Sequence, residues 1–518
     1  MSGARYDAVV VGAGPNGLSA GITLARRGRS VLVVEAADRP GGAVKSEQLT
    51  LPGFVHDVFS AVYPAAVASP VFAAMPLERH GLRWVHPEVA MAHPLDDGRA
   101  AALYRDLDRT VDALDAITPG DGAGWRRIVE PYLRHWQALR RTMLGAFPPL
   151  PGVVRILAGL GLQGALDFAR LLLMPAAGLA AERFRGPHAT AWLYGSALHG
   201  DTPPEEAGSA IAALYLNLMG HAVGWPSPQG GAERLTEALV GHLRELGGEL
   251  RCGAPVERIL VAEGRVAGVG IAGGDAVASD VVVCDLTPRQ LLAVAGEALP
   301  EGYRERLVGW RSGPHTLKVD WALSGPVPWT AEVVRKAGTV HVGGDARDLL
   351  RATTALRLGE LAERPFLLFG QQSIADPTRA PEGKHTAWGY TRVPAGVDWQ
   401  REAERHVERI EAQVERFAPG FRDRIRARHV LRPPALESRD ANLTGGDVGG
   451  GSYQLDQTVF RPVPSLSPYR TPLPGLYIGS AAAVPGGAVH GGTGAAAARL
   501  AATESTPRRL VRRVRRRR

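Results

Sequence analysis

The sequence contains only two cysteines and four lysines. Cys252 and Cys284 are far apart and form no CxxC pair, which argues against dithiol redox chemistry and against a secreted disulfide framework. The histidines show no ligand-like spacing with cysteines or acids, so no metal site is predicted. The N-terminus has no charged start followed by a long apolar stretch, and a cytoplasmic protein is therefore expected.

Long uncharged apolar runs are also missing. No stretch of about 18 residues is predicted to be apolar enough to span a bilayer. The nearest candidate, residues 153–181, is interrupted by Arg155, Asp167 and Arg170. We interpret it as an amphipathic helix that lines a cavity or rests on a membrane surface.

Basic charge is concentrated at one end of the chain. The formal net charge is +8, and residues 508–518 alone contain eight arginines and no acid. The rest is formally neutral, so no nucleic-acid partner is expected. Residues 506–518 are predicted to be a disordered tail, which is the second candidate for peripheral membrane contact beside residues 153–181.

A phosphate-binding fingerprint opens the chain. A predicted strand, the loop Gly12-x-Gly14-x-x-Gly17 and a predicted helix follow one another. The first glycine permits the tight turn, the second lets the backbone approach a pyrophosphate, and the third lets helix and strand pack closely. Glu35 ends the next predicted strand, where its carboxylate can accept hydrogen bonds from ribose hydroxyls. This βαβ unit predicts a bound dinucleotide.

Two further glycine-rich segments favour FAD over NAD. Arg39-Pro40-Gly41-Gly42 directly follows the acid-bearing strand and permits a second close backbone approach to the cofactor. Near the C-terminus, Gly479-Ser480 ends a strand, and Gly491-Gly492-Thr493-Gly494 leads into a helix. The N-terminus of that helix, aimed at the flavin, would stabilise the negative charge of the reduced ring.

These segments together resemble a known family. Residues 9–18, with Gly41-Gly42 and Pro52-Gly53-Phe54, are similar to the phytoene desaturase-related flavoproteins. That family includes carotenoid desaturases, carotenoid isomerases and the pyridine nucleotide-disulfide oxidoreductase domain-containing protein 2 group. Residues 479–494, with Val489-His490-Gly491, resemble the last group in particular. The resemblance covers most of the chain outside its two ends.

The resemblance implies FAD in a discontinuous domain. It places the backbone of Val256 against the adenine, and Gly41, Gly42 and Ser480 along the pyrophosphate and flavin. Many relatives carry Arg after the glycine pair, whereas this chain has Ala43. The residues predicted to bind the cofactor are Gly12, Ala13, Gly14, Pro15, Asn16, Gly17, Glu35, Ala36, Arg39, Gly41, Gly42, Val256, Gly479, Ser480, Gly491, Gly492 and Thr493.

A second nucleotide site is not predicted. Gly268-x-Gly270-x-x-Gly273 falls inside a strand pattern with no helix behind it, so it offers no phosphate site. The electron acceptor is therefore expected to be a molecule other than NAD(P), such as oxygen or a quinone.

Three residues are candidates for catalysis. Because the flavin itself accepts the hydride, the protein must position the substrate and accept a proton. His490 lies in the loop predicted to face the flavin, where a proton-transfer or orienting role and a structural role are both open. His56 and Asp57 follow Gly53-Phe54 and are weaker candidates for the same face.

The predicted fold class is α/β. A doubly wound, two-dinucleotide-binding FAD domain is interrupted by a substrate domain of mixed β-sheet and helices. The FAD domain is expected to comprise residues 1–60, 226–300 and 470–505, and the substrate domain residues 61–225 and 301–469, with its helical part at about 121–220.

The predicted function is FAD-dependent dehydrogenation (desaturation) or isomerisation of an apolar small molecule, by hydride transfer to flavin N5. The resemblance implies a polyene or carotenoid-like substrate. Two alternatives stay open. One is a flavin amine oxidase, in which Lys318 would be the lysine near N5. The other is a FAD-holding regulatory or scaffold protein with little turnover.

Overall fold

The computed structural model of the chain describes residues 4–516, with side chains for all of these except residue 151 and residues 507–516. Its α-helices are α1 (Pro15–Ala25), α2 (Pro64–Ala68), α3 (Leu107–Ile117), α4 (Asp121–Arg134), α5 (Trp136–Leu144), α6 (Leu150–Leu173), α7 (Ala176–Arg183), α8 (Pro187–His199), α9 (Ser209–Val223), α10 (Glu233–Glu245), α11 (Pro288–Ala295), α12 (Glu301–Val308), α13 (Ala346–Arg357), α14 (Trp399–Phe417), α15 (Phe421–Arg424), α16 (Pro433–Arg439), α17 (Leu455–Val459) and α18 (Gly492–Arg516).

The strands alternate with these helices along the chain. They are β1 (Ala8–Val11), β2 (Val31–Val34), β3 (Ser46–Glu47), β4 (His56–Asp57), β5 (Trp84–Val85), β6 (Val89–Pro94), β7 (Ala100–Leu103), β8 (Ser227–Pro228), β9 (Glu249–Arg251), β10 (Val256–Ala262), β11 (Arg265–Ile271), β12 (Ala276–Ala278), β13 (Val282–Cys284), β14 (His315–Leu323), β15 (Ala337–Val342), β16 (Leu367–Gly370), β17 (His385–Val393), β18 (Ile425–Leu431) and β19 (Leu476–Ile478).

A five-stranded parallel sheet carries the glycine loop. Its order is β19-β13-β1-β2-β9, so three distant chain segments meet in one sheet. β1, β2 and β13 are short and wholly apolar, because strands of a parallel sheet are buried on both faces. The helix α1 packs against α10 and α18 beside this sheet. The predicted doubly wound FAD-binding architecture is confirmed.

A seven-stranded mixed sheet forms the base of the second region. Its order is β18-β14-β17-β16-β15-β6-β7. Alternate residues of β14 point to opposite faces, as in any strand. Leu317, Val319 and Trp321 belong to one buried cluster with Val407 and Ile410 of α14. The opposite face of this sheet is therefore free to line the cavity described below.

The helices α4–α9 span residues 121–223, where the sequence predicts the helical part. Trp125 and Trp192 anchor this layer with ring centroids 4.6 Å apart. Of its helices, α9 packs against α4, α6, α7 and α8 and has one side turned to the cavity.

The helix α6 corrects the expectation that no stretch of the chain is long and apolar enough to span a bilayer. Residues Gly152–Leu173 are long and apolar enough to cross a membrane by length and composition, with mean hydropathy 1.5. Its charged residues are so spaced that an 18-residue window holds no more than two. Only 11% of that window is buried, although Ile156 and Leu171 are in the core beside α5 and α9.

The helix α18 continues to Arg516, through most of the segment predicted to be a disordered tail. Once its first half is packed, each further residue adds one hydrogen bond, and arginine is a good helix former. Residues 517 and 518 of that segment lie outside the described residues.

Candidate active site

One large cavity runs from the glycine loop to the seven-stranded sheet. Its volume is about 980 Å³. The predicted cofactor residues that line it are Gly12, Gly14, Pro15, Asn16, Glu35, Ala36, Gly42, Val256 and Ser480. Those that lie behind the lining are Ala13, Gly17, Arg39, Gly41, Gly479, Gly491, Gly492 and Thr493.

The glycines of the fingerprint are required by close approaches. A Cβ at Gly17 would lie 2.0 Å from the carbonyl oxygen of Gly12, so only glycine lets α1 pack this tightly on β1. A Cβ at Gly42 would lie 3.1 Å from the Cα of Gly14. The second glycine segment is thus held directly against the first, and the main-chain nitrogen of Gly41 donates to the Ala13 oxygen at 2.9 Å.

Glu35 is fixed at the edge of this loop. Its carboxylate oxygens accept hydrogen bonds from the main-chain nitrogens of Ala13 at 2.7 Å and Ala37 at 3.0 Å. Arg39, by contrast, is directed away from the cavity and pairs with Glu47 and Glu233. The structure therefore brings Glu35 to the cofactor loop and does not bring the Arg39 side chain there.

Two carboxyl groups that the sequence analysis missed also line this end of the cavity. Asp285 follows β13, and its Oδ2 accepts a hydrogen bond from the Gly17 nitrogen at 2.8 Å. Burial is the main cause that raises the pKa of Asp285 to about 7; the Gly17 hydrogen bond opposes it, and the charges of Asp440 and Glu35 add to it. Burial likewise raises the pKa of Asp440. A position at the carboxyl end of a parallel strand was the available clue for Asp285.

The loop between β19 and α18, residues 479–491, is here called the C-terminal loop, and it packs over the start of α1. A Cβ at Gly494 would lie 1.8 Å from the Asn16 carbonyl oxygen, and one at Gly491 would lie 2.2 Å from Ser19 Oγ. This loop brings Ser480 and His490 to the cavity wall. The first turn of α18 thus packs against the first turn of α1, as two converging helix N-termini.

His490 is buried at that wall, and its hydrogen bonding defines its tautomer and charge. Its Nδ1 accepts a hydrogen bond from the Gly492 nitrogen at 2.9 Å, which places the ring proton on Nε2. Burial lowers the pKa of His490 to about 4, although the nearby carbonyl groups of Gly486 and Gly487 oppose this. Among the described residues, Nε2 has no hydrogen-bond partner of normal geometry. His490 is therefore a neutral donor at the cavity.

The far part of the cavity is a mainly apolar chamber. Its floor is the free face of the seven-stranded sheet, where the rings of Trp388 and Tyr390 stack with centroids 5.9 Å apart. Its roof is α9, which contributes Ile211, Tyr215 and Met219. Large, mainly apolar side chains on both sides of the chamber suit an apolar ligand.

One buried ion pair interrupts the apolar wall. Arg392 of β17 donates through two nitrogens to both carboxylate oxygens of Asp201, and through Nη1 to Thr316 Oγ1 at 2.5 Å. Burial raises the pKa of Asp201 to about 6 in spite of the guanidinium. Asp201 lies against Gly449, which packs on Gly487 of the C-terminal loop. The sequence analysis did not identify this pair.

Lys318 lines the cavity, but its ammonium group is already bonded. Its Nζ donates to Asp320 Oδ1 at 2.5 Å and to the Asp57 carbonyl oxygen at 3.0 Å. The side chain of His56 lies behind it, 3.6 Å from Asp320 Oδ1, with Nε2 2.7 Å from Thr50 Oγ1. Burial lowers the pKa of His56 to about 3.

His56 and Asp57 do not reach the cavity. The Asp57 carboxylate accepts hydrogen bonds from Ser46 Oγ, the Ala232 nitrogen and Arg379 Nη1 at 2.7 to 3.0 Å. Arg379 in turn pairs with Asp376. The expectation that these residues face the flavin is corrected, because this buried network directs the Asp57 side chain into the protein.

The cavity fits the predicted cofactor. Its glycine-lined end is a cradle that added Cβ atoms would fill, next to the free N-terminus of α1. Three buried polar atoms of the lining have no partner among the described residues: Asn16 Oδ1, Thr287 Oγ1 and His490 Nε2. A bound nucleotide with polar groups along its length would satisfy such atoms.

Comparison with known proteins agrees with this geometry. The model of the flavin containing amine oxidoreductase family matches residues 16–503. The chain belongs to this family. Pyridine nucleotide-disulfide oxidoreductase domain-containing protein 2 of Mus musculus is 28% identical, over 96% of this chain and 93% of that protein. The phytoene desaturase (neurosporene-forming) of Rhodobacter capsulatus is 26% identical, over 93% and 91% respectively.

A solved structure shares the fold. An oxidoreductase from Methanosarcina mazei superposes with a TM-score of 0.64 at 16% identity, covering 96% of this chain and 99% of that one. The resemblance to phytoene desaturase-related flavoproteins is confirmed, and the chain is a FAD-dependent oxidoreductase.

Proposed function

We propose that this member of the family dehydrogenates an apolar small molecule of the polyene class. The observation that carries the proposal is the continuity of the cavity: the FAD cradle opens into a chamber floored by Trp388 and Tyr390 and roofed by α9. Bound FAD supplies the hydride acceptor. The chamber walls exclude water and hold the substrate carbon chain against the C-terminal loop.

The chain's own polar groups complete the reaction. Dehydrogenation removes a hydride and a proton from adjacent carbons, so a base must take the proton. Asp201, with a pKa of about 6, is ionised at neutral pH and lies at the chamber wall. His490 is neutral, with Nδ1 already accepting from the Gly492 nitrogen, so it is suited to orient the substrate rather than to accept a proton. An external acceptor such as oxygen or a quinone would take up the two electrons that bound FAD receives.

Anaerobic titration of the FAD-loaded protein tests this function. Polyenes, primary amines and hydroxy compounds are added separately while the visible flavin band is followed. Bleaching by polyenes alone supports the proposal. An unbleached flavin with rearranged polyene double bonds in the products would instead show isomerisation, and no reaction with any class would favour the scaffold alternative.

A flavin amine oxidase is the second candidate. Lys318 lies on β14 of the seven-stranded sheet and lines the cavity, as that alternative requires. Its bonds to Asp320 and the Asp57 carbonyl oxygen leave the ammonium group little freedom to serve the flavin. Bleaching by amines and not by polyenes would reverse the order of the two proposals.

We also propose that α6 holds the protein against a membrane surface, as a peripheral cytoplasmic protein. The large apolar side chains that it exposes are Leu150, Val154, Leu157, Leu162, Leu166, Leu172 and Leu173. The C-terminal end of α6 adjoins the cavity, because the Leu172 carbonyl oxygen lies 3.5 Å from a Cβ built on Gly208, a lining residue. Exposed Arg155 of the same helix suits an anionic headgroup, whereas Arg170 is paired with Glu182.

Sedimentation with vesicles of phosphatidylcholine and phosphatidylserine tests the membrane proposal. The variant Leu162→Glu/Leu166→Glu is expected to lose binding, since both side chains are more than half exposed on α6. The matched control is Val308→Glu/Leu466→Glu, whose side chains are at least as exposed elsewhere. Equal sedimentation of both variants would contradict it, and truncation after residue 506 separates any contribution of the arginine tail.

A further inference from the structure

A cluster of two histidines and a glutamate lies outside the cavity. His242 and Glu245 stand three residues apart on α10, and His80 ends the 3-10 helix Leu77–His80. His80 Nε2 and His242 Nδ1 each lie 3.0 Å from the same atom, Oε2 of Glu245. Two imidazole nitrogens and a carboxylate oxygen, all atoms that can ligate a metal ion, thus meet at Glu245 from two chain segments.

We propose that His80, His242 and Glu245 bind a divalent transition-metal ion, with Zn²⁺ as the representative ion. Zinc takes imidazole nitrogen and carboxylate oxygen at about 2.0–2.2 Å, so neighbouring ligand atoms of a tetrahedral site are about 3.3 Å apart. The three donor atoms here already lie within 4.8 Å of one another. Small side-chain rotations would place an ion among them, with water as the fourth ligand.

The local electrostatics are suited to a cation. The Glu245 side chain is about half exposed, and a glutamate in contact with solvent is anionic at neutral pH. The cluster stands at the C-terminal end of α10, where the free carbonyl groups favour positive charge. The guanidinium of Arg79 acts on the same carboxylate and opposes a cation. We therefore expect micromolar rather than nanomolar affinity.

The backbone makes room for this arrangement. A Cβ at Gly241 would lie 2.8 Å from Nδ1 of His80, so glycine is what lets this imidazole lie against α10. A bound ion would join the 3-10 helix Leu77–His80 to α10, and would stabilise the fold without touching the cavity. The sequence predicts no metal site because His80 is 165 residues away from Glu245, and a single histidine and acid three residues apart is too short a pattern to indicate one.

Calorimetric titration of ZnCl₂ into the untagged, metal-free, FAD-loaded full chain tests the proposal. Wild type is expected to bind one ion per chain, and zinc is expected to raise its thermal midpoint by a few degrees. His80→Gln and Glu245→Gln should each weaken binding at least about tenfold and lose the midpoint shift. His86→Gln, an exposed histidine outside the cluster, is the control and should behave as wild type.

Two results would overturn the proposal. One is a wild-type chain that binds no zinc at high micromolar concentrations. The other is zinc binding by His80→Gln and Glu245→Gln that is as tight as in wild type, which would place the ion elsewhere. Flavin absorbance and circular dichroism confirm that each variant is folded before titration.

Discussion

Replacing Asp285 by asparagine should remove the pH dependence of FAD binding. The Asp285 carboxyl lines the cavity beside the glycine loop, and its Oδ2 accepts from the Gly17 nitrogen at 2.8 Å. Burial raises its pKa to about 7, with further repulsion from Asp440 and Glu35. The FAD diphosphate is anionic and is predicted to bind at the same loop. FAD should therefore bind best when Asp285 is neutral.

The size of the effect follows from that pKa. Between about pH 6 and about pH 8.5 the neutral fraction of a group with pKa about 7 falls about 30-fold, so the Kd for FAD should rise by about 30-fold, or about 2 kcal/mol. Asp285→Asn keeps an acceptor for the Gly17 nitrogen and carries no charge. Its Kd should stay nearly constant over this range.

Fluorescence titration of the flavin-free chain with FAD measures this directly. The Kd is determined at several pH values for wild type and for Asp285→Asn, with circular dichroism to confirm folding of both. A wild-type Kd that does not change with pH, or an equal slope in the asparagine variant, would show that the charge of Asp285 does not control FAD binding.

Three further predictions follow from the same structure. Gly494→Ala places a Cβ 1.8 Å from the Asn16 carbonyl oxygen and should lower the unfolding free energy by about 2 kcal/mol in urea denaturation, whereas Gly302→Ala, with no atom within 4 Å, should not. Asp201→Asn should slow anaerobic flavin reduction and abolish the rise in its rate through about pH 6; an unchanged pH profile would exclude Asp201 as the base. Lys318→Met leaves the buried Asp320 carboxylate unpaired and should cost about 3 kcal/mol of stability, a cost that grows above about pH 6 because the wild-type carboxyl then ionises beside Lys318 while the folded variant must keep it protonated; a variant as stable as wild type would contradict the pairing.

The parts of this protein that could be predicted from sequence are those with local causes. The turn at Gly12 and the tight packing at Gly17 each require glycine for a reason visible within a few residues. The amphipathic pattern of Trp399–Phe417 likewise predicts a helix with the observed bounds. These features depend on backbone conformation and helical periodicity, which a short stretch of sequence expresses.

The parts that could not be predicted depend on distant partners. β6 joins the seven-stranded sheet by pairing with β15, which lies far along the chain. No local sequence pattern predicts this pairing. Asp57 was a catalytic candidate from its position after a turn, whereas Arg379, 322 residues away, makes it part of a buried ion pair. Asp201 pairs with Arg392, which is 191 residues away, so the contact exists only in the folded chain.

The rate of flavin reduction by a polyene, measured with the chamber open and with it blocked, shows whether the substrate occupies the chamber. Ala212 lies on the roof of the chamber, and Ala212→Trp would place an indole ring inside the chamber. This variant is expected to bind FAD and to be reduced by dithionite as wild type is, but to be reduced by the polyene at least about tenfold more slowly. Equal rates for the two proteins would show that the substrate does not occupy this chamber.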